Sequence, residues 1–147
     1  MSKRLLLVED EATLARAVAR LLRRAGYAVF LAGTCAEARS AEGSFSLGVF
    51  DIDLPDGDGI GLAEELVARR SVRRVLFYSG TQSRERRARA ARIGPFLEKS
   101  RGFPYLSAAI ELALAHKGLK VAGGEDEPTG ESSDPPPSGI RPGKRSG

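Results

Sequence analysis

The chain has 147 residues, with 23 lysines and arginines, 19 aspartates and glutamates, and a formal net charge of +4. This length fits one domain with an extension and leaves little room for two domains. The single cysteine excludes an internal disulfide and a metal site built from cysteines. No apolar run approaches the ~18 residues of a membrane span, and the N-terminal run is too short for a signal peptide. We therefore expect a soluble, cytoplasmic protein that does not enter a membrane.

Apolar runs of strand length alternate with segments of helical periodicity. We predict strands at about residues 4–8, 27–31, 47–50, 74–78 and 95–98. We predict helices at about residues 14–22, 60–67, 83–93 and 103–115. One more helix, the second in chain order, is predicted to begin at a capping box at Thr34. Five alternating units with short links indicate an α/β fold, in which helices cover both faces of a parallel sheet.

Acidic residues follow two of the predicted strands. Glu9 and Asp10 come directly after the first apolar run, and Asp51 ends the third. Because the carboxyl ends of parallel strands meet at one edge of a sheet, we expect these three carboxylates to converge. Carboxylates that lie close together repel one another and favour a hard divalent cation, for which Mg²⁺ is the best candidate.

Four short motifs occur in order, each at the end of a predicted strand. They are Leu-Leu-Leu-Val-Glu-Asp at 5–10, Phe-Asp-Ile-Asp-Leu-Pro at 50–55, Tyr-Ser-Gly at 78–80 and Phe-Leu-Glu-Lys at 96–99. Together they resemble the receiver domain of two-component response regulators, and the resemblance covers roughly residues 3–117. It implies a flavodoxin-like, doubly wound sheet of five parallel strands in the order 2-1-3-4-5, with five helices.

We assign residues 1–120 to this receiver domain. Residues 121–147 are rich in glycine, proline and acidic residues and contain few large apolar side chains. Such a segment buries too little apolar surface to offset its ordering entropy, so we expect a disordered C-terminal tail. The tail is too short for a second folded domain, which predicts a single-domain response regulator.

The resemblance implies that Asp51 accepts a phosphoryl group from a histidine kinase or a phosphotransfer protein. Asp10, Asp51 and the backbone carbonyl of Asp53 would hold Mg²⁺ directly, and Glu9 would act in the same shell through water. The chain would catalyse only its own phosphorylation and dephosphorylation, so we do not expect an enzyme with a separate substrate.

Two further side chains would support the phosphoryl group, Lys99 as a cation and Ser79 through its hydroxyl. By the same resemblance, phosphorylation would draw Ser79 inward and let Phe96 rotate into the vacated space. This switch would change the surface formed by the fourth helix and the fifth strand. The protein would then signal through contact with another protein.

Five arginines of the fourth helix, from Arg84 to Arg92, lie on the face that receivers use to signal. An acidic downstream protein is one candidate partner, although a solvated helix face is the simpler interpretation. The segment lacks the interleaved aromatic residues of single-strand nucleic-acid sites, and no DNA-binding module follows it, so nucleic acid is disfavoured. The sequence leaves dimerisation open.

Two positions depart from the receiver pattern. Receivers usually carry proline after the active-site lysine, often with a cis bond, whereas Ser100 follows Lys99 here. Because a cis bond before serine costs ~3 kcal/mol, we expect a trans or mobile loop. Asp53 places an acid beside the phosphorylation site, where we expect it to shorten the phosphoryl lifetime or to alter the affinity for Mg²⁺.

Other interpretations stay open. Ser100 favours a degenerate receiver that acts as a phosphorylation-independent binding module. The pattern Asp51-x-Asp53 also resembles the opening motif of haloacid-dehalogenase-type phosphatases, although an acidic pair would then precede the nucleophile. A calcium loop beginning at Asp56 fails on spacing, because its twelfth residue is Val67 instead of glutamate.

Overall fold

The structure, a computed structural model that describes residues 2–115, alternates strands and helices. In chain order the elements are β1 (Arg4–Val8), α1 (Ala12–Arg24), β2 (Ala28–Ala32), α2 (Cys35–Ser40), β3 (Phe45–Phe50), β4 (Asp53–Leu54), β5 (Gly57–Asp58), α3 (Gly59–Ala68), β6 (Val72–Ser79), α4 (Arg84–Ala91), β7 (Phe96–Glu98) and α5 (Phe103–Ala115). A 3-10 turn, Lys99–Arg101, follows β7. All the predicted strands and helices are present, and the short strands β4 and β5 are additions.

The strands β2-β1-β3-β6-β7, in this order, form one parallel sheet. With the two-residue strands set aside, this is the order 2-1-3-4-5, which confirms the predicted flavodoxin-like topology. The register aligns the ends of the three central strands, because Val8 lies opposite Phe50 and Phe50 lies opposite Phe77. The residues that follow these strands therefore meet at one edge of the sheet.

Apolar side chains project from both faces of the sheet, and helices cover each face. Leu6, Val8 and Phe50 pack on one side with residues of α2, α3 and α4. Leu5 and Leu7 pack on the other side with residues of α1 and α5. Successive strand residues point to opposite faces, so a strand covered on both sides reads as a continuous apolar run. This explains the four successive buried residues of β1.

The sequence did not predict the ribbon formed by β4 and β5. Asp53 pairs with Asp58, and Leu54 pairs with Gly57, in antiparallel register. Strands of two residues are too short to produce a periodic pattern, so the hydrophobic signal does not reveal them. The ribbon folds the chain back on itself between β3 and α3.

Several strand boundaries differ from the predicted ones. β2 is displaced by one residue, β3 begins at Phe45, and β6 runs from Val72 to Ser79. Phe45 pairs with Val72 across the sheet, and this pairing sets the early start of both strands. The longer β6 brings Ser79, a predicted functional residue, into the sheet.

Acidic side chains cap the starts of α2 and α3. Asp56 accepts hydrogen bonds from the N–H groups of Cys35 and Ala36, at 2.7 and 3.0 Å. Asp58 accepts hydrogen bonds from two N–H groups in the first turn of α3, at 3.2 and 3.3 Å. A helix leaves these N–H groups without intrahelical partners. Both acids therefore have a structural role, which agrees with the rejection of a calcium loop.

Two predictions fall outside the described residues. They are the end of the predicted domain, residues 116–120, and the predicted disordered tail, residues 121–147. Within residues 2–115, no helix has both the length and the apolar character that crossing a bilayer requires.

Candidate functional site

Asp51 directly follows β3, and its side chain is almost fully buried. The Ile52 N–H and the Ser79 hydroxyl donate hydrogen bonds to its Oδ1, at 2.7 and 2.6 Å. The Lys99 ammonium donates to its Oδ2 at 2.8 Å. Both carboxylate oxygens therefore face donors. The structure brings Asp51, Ser79 and Lys99 together at the carboxyl edge of the sheet, where the sequence placed them.

Two more carboxylates approach Asp51 from the end of β1. Glu9 is buried and pairs with Lys99 through both oxygens, at 2.8 and 3.0 Å. The Glu11 N–H donates to Oε2 of Glu9 at 3.0 Å. Asp10 is exposed, and one oxygen from each of Glu9, Asp10 and Asp51 lies within 4.8 Å of the others. The predicted convergence of these carboxylates is present.

This cluster of three carboxylates fits a hard divalent cation. Carboxylate oxygens are the ligands that Mg²⁺ prefers in proteins. Lys99, the cation that pairs with Glu9 and Asp51, offsets one of the three negative charges. The remaining negative charge favours a divalent cation, and the exposed Asp10 leaves a side of the cluster open for one that keeps part of its water shell.

Burial acts on the two charged partners Glu9 and Lys99 in opposite directions. It raises the pKa of Glu9 above its ordinary value, although the hydrogen bonds from Lys99 and the Glu11 N–H lower this pKa in part. Burial alone would lower the pKa of Lys99, but its hydrogen bonds to Asp51 and Glu9 outweigh that effect and raise the pKa to about 12. Lys99 is therefore a cation at neutral pH, whereas burial disfavours the charged form of Glu9.

Gly59 brings the start of α3 against the loop that carries Asp51. A Cβ atom at Gly59 would collide with the Asp51 backbone carbonyl. The Gly59 N–H donates to the Ile52 carbonyl at 2.8 Å. Only glycine permits so close an approach, so this residue fixes the position of the loop that follows β3.

A profile of the response regulator receiver domain matches residues 5–111 of the chain. The chain belongs to the family of response regulator receiver domains. Receivers are parts of two-component systems, and they are typically signalling domains instead of enzymes. Membership of this family leaves the dehalogenase-type phosphatase interpretation without support.

Known receivers are similar to this chain in sequence and in structure. The transcriptional regulatory protein DpiA of Escherichia coli K12 is 38% identical over 96 residues, which are 63% of this chain and only 42% of DpiA. The non-phosphorylated HemR receiver domain of Leptospira biflexa has 29% identity and a TM-score of 0.72, over 80% of this chain and 98% of that chain. A Burkholderia pseudomallei response regulator with a phosphorylated aspartic acid, a calcium ion and citrate has 28% identity and a TM-score of 0.66, over 78% of this chain and 69% of that chain.

The two expected switch residues of this receiver lie in adjacent strands. Ser79 is fully buried, and its Oγ accepts a hydrogen bond from the Thr81 N–H at 3.3 Å. Thr81, which the sequence analysis did not single out, is itself buried. Phe96 is half-buried, and the Arg87 guanidinium lies 5.2 Å from the centre of its ring. The structure describes one arrangement of these side chains, so the switch stays a prediction.

Serine at position 100 does not displace the lysine of this receiver. No peptide bond among residues 2–115 is cis, so the Lys99–Ser100 bond is trans. The loop continues as the 3-10 turn Lys99–Arg101. From this loop the Lys99 ammonium reaches both Asp51 and Glu9. Serine at position 100 is therefore compatible with a lysine that reaches both carboxylates.

Arg86 is a site residue that the sequence analysis counted only among the arginines of α4. Its guanidinium forms an ion pair with Asp53 and donates hydrogen bonds to the Ile52 carbonyl and to Asp58, at 3.2 and 3.1 Å. The last two partners lie 34 and 28 residues earlier in the chain, so no local pattern could reveal them. Two more arginines of α4 also pair with acids of this receiver. Part of the charge of α4 is thus neutralised within the molecule.

Proposed function

We propose that Asp51 accepts a phosphoryl group from a histidine kinase or a phosphotransfer protein in a Mg²⁺-dependent reaction. The observation that carries the proposal is that Lys99 and Ser79 donate hydrogen bonds to the two oxygens of this buried carboxylate. The similar Burkholderia regulator, which contains a phosphorylated aspartic acid and a calcium ion, supports the same chemistry.

In the proposed transfer, an oxygen of Asp51 attacks the phosphorus of a phosphohistidine. A bond forms between this oxygen and phosphorus, the phosphorus–nitrogen bond breaks, and the imidazole leaves with the bonding electron pair. Lys99 and Ser79 already face the Asp51 oxygens, so they can turn their donors to the phosphoryl oxygens with little rearrangement. Lys99 is a cation before the transfer, because its hydrogen bonds to Asp51 and Glu9 raise its pKa to about 12.

The proposed direct ligands of Mg²⁺ are Asp10, Asp51 and the backbone carbonyl of Asp53, with Glu9 in the same shell through water. When bound, Mg²⁺ supplies positive charge that offsets the repulsion between the carboxylates and an anionic phosphoryl group. The convergence of the carboxylates of Glu9, Asp10 and Asp51 supports this assignment.

In the proposed cycle, the phosphoryl group is removed from Asp51 by hydrolysis. Water attacks the phosphorus of the acyl phosphate, the bond between phosphorus and the Asp51 oxygen breaks, and inorganic phosphate leaves. The chain thus catalyses only its own phosphorylation and dephosphorylation. We propose that it does so in the cytoplasm.

We further propose that phosphorylation changes the surface formed by α4 and β7, where a downstream protein binds. Ser79 ends β6, and Phe96, which begins the adjacent strand β7, lies opposite Phe77 of β6. A movement of Ser79 toward the phosphoryl group and a rotation of Phe96 would alter this surface. Arg84 and Arg92 are exposed there, which supports an acidic partner.

The test is phosphorylation of the purified chain by a small acyl phosphate, with and without Mg²⁺, followed by intact mass spectrometry. We expect a mass gain of one phosphoryl group that requires Mg²⁺ and is absent from Asp51→Asn. A gain retained by Asp51→Asn would place the phosphoacceptor elsewhere. No gain under any condition would favour the alternative, a degenerate receiver that acts as a phosphorylation-independent binding module.

A further inference from the structure

Arg86 connects α4 to the segment that follows Asp51. Its guanidinium contacts three acceptors of that segment, namely the carboxylates of Asp53 and Asp58 and the carbonyl of Ile52. The side chain of Arg86 is 33% exposed and that of Asp53 is 55% exposed. The pair is therefore partly open to solvent, and it lies on the ribbon directly after the phosphoacceptor.

The negative charge of Asp53 is the reason why this contact bears on the site. Lys99 pairs with Glu9 and Asp51, whereas Asp53 forms its ion pair with Arg86. An unscreened carboxylate two residues after Asp51 would repel an incoming phosphoryl group, because like charges at short range disfavour each other. A cation that pairs with that carboxylate reduces this repulsion.

We propose that Arg86 is a positioning residue that screens the charge of Asp53 and thereby lets an anionic phosphoryl group approach Asp51. The inference rests on the proposed function of Asp51. The sequence predicted that Asp53 alters the phosphoryl lifetime or the affinity for Mg²⁺. By this inference, the charge of Asp53 affects the phosphoryl group mainly when Arg86 is removed.

A purely structural role for Arg86 makes a different prediction. The guanidinium also binds the Ile52 carbonyl and Asp58, so it could simply brace the loop. If Arg86 acts by screening the charge of Asp53, it is no longer needed once Asp53 carries no charge. If Arg86 acts by holding the loop through Ile52 and Asp58, it is still needed in that case. A double-mutant cycle between Arg86 and Asp53 therefore separates the two roles.

The test measures the affinity of the full chain for beryllofluoride, a mimic of the phosphoryl group, at saturating Mg²⁺ by fluorine NMR. Arg86→Gln removes the charge and keeps an N–H donor for the Ile52 carbonyl. We expect this variant to bind beryllofluoride about three- to fivefold more weakly than the wild type. Adding Asp53→Asn to the same chain should restore the affinity to within about twofold of the wild type.

Three further variants complete the design. Asp53→Asn alone closes the cycle, because the affinity of the double variant is compared with this variant as well as with the wild type. Arg86→Lys keeps a cation near Asp53 and should retain most of the affinity. Arg89→Gln is the matched control, because Arg89 is an arginine of the same helix that pairs with Asp58 and Glu64. It should bind beryllofluoride like the wild type. Circular dichroism of each variant checks that it is folded, and Arg86→Ala replaces Arg86→Gln in the cycle if the latter fails to fold.

The outcomes separate this inference from the proposed function. Wild-type binding that Arg86→Gln leaves unchanged would overturn the inference alone. A double variant that binds as weakly as Arg86→Gln would also overturn it, because Arg86 would then act as a brace. No binding of beryllofluoride by the wild type would refute the function of Asp51 and the inference with it.

Discussion

Glu9 carries a carboxylate into the interior of the protein, beside a second buried carboxylate, that of Asp51. Lys99 pairs with both, yet burial still raises the pKa of Glu9. A charged group in such a position lowers the stability of the metal-free protein, and a bound cation would offset part of that cost. At the residue scale, the acidic cluster therefore lowers the stability of the metal-free protein and provides ligands for a cation.

The raised pKa of Glu9 predicts how stability varies with pH. The folded state binds this proton more tightly than the unfolded state, so protonation contributes stability that is fully present below the ordinary value of 4.5 and is lost as the pH rises through the folded pKa. In metal-free buffer, lowering the pH from neutral should therefore raise the free energy of unfolding of the wild type relative to Glu9→Gln. Urea unfolding of both proteins at a series of pH values measures this. A difference that is independent of pH would contradict the prediction.

Gly59 provides a test of how closely α3 approaches the phosphoacceptor loop. Alanine at this position would place a Cβ against the Asp51 carbonyl, so we expect Gly59→Ala to lower the free energy of unfolding by about 1–3 kcal/mol. Gly80→Ala is the control, because nothing lies within 4 Å of a Cβ at position 80. It should change stability by about 0.5 kcal/mol or less. Equal free energies of unfolding for the two variants would mean that the contact at Gly59 does not constrain the loop.

At the scale of elements, the sequence was sufficient to predict the strands β1 and β3, which directly precede Glu9 and Asp51. Both are buried on two faces, and each apolar run ends at an acid, which is a local signal. The ribbon of β4 and β5 gave no such signal, because each of its strands has two residues. The sequence also could not predict that the side chain of Arg86 points toward the ribbon, because this direction depends on how α4 packs beside the ribbon.

The contacts of β7 connect Ser79 with α4. Ser79 lies opposite Glu98 in the sheet, and Arg87 of α4 pairs with Glu98 at 2.6 Å. The helix α2 instead follows β2, the edge strand on the other side of the sheet. A displacement of Ser79 should therefore reach β7 and α4 and leave α2 unchanged.

Hydrogen–deuterium exchange with and without beryllofluoride and Mg²⁺ tests this route. We expect the exchange rates of residues 84–91 and 96–98 to change by about twofold or more, and those of residues 35–40 to stay constant. Asp51→Asn, treated in the same way, is the control and should show no change. Equal protection of all three segments would indicate general stabilisation by the ligand and would count against a switch at α4 and β7.

At the scale of the whole molecule, the arginines of two helices, α1 and α4, differ in how many of them pair with acids. Those of α1 are exposed and surround one surface depression, lined by Arg16, Arg20, Arg23 and Arg24. In α4, by contrast, three of the arginines pair with acids of the chain. The sequence left two interpretations of the α4 arginines open, a solvated helix face and a docking surface for an acidic partner. The ion pairs reduce the charge that α4 presents, and α1 offers a second face of four exposed arginines.

The parallel sheet places the ends of four strands, β1, β3, β6 and β7, at one edge, and this edge gathers the carboxylates, the hydroxyl and the ammonium of the site. A functional phosphoacceptor at Asp51 is tested most directly by fluorine NMR of the protein with beryllofluoride, with and without Mg²⁺. We predict signals of bound fluoride that require Mg²⁺ and disappear in Asp51→Asn. No bound fluoride in the wild type, or equal binding by Asp51→Asn, would contradict the assignment of Asp51.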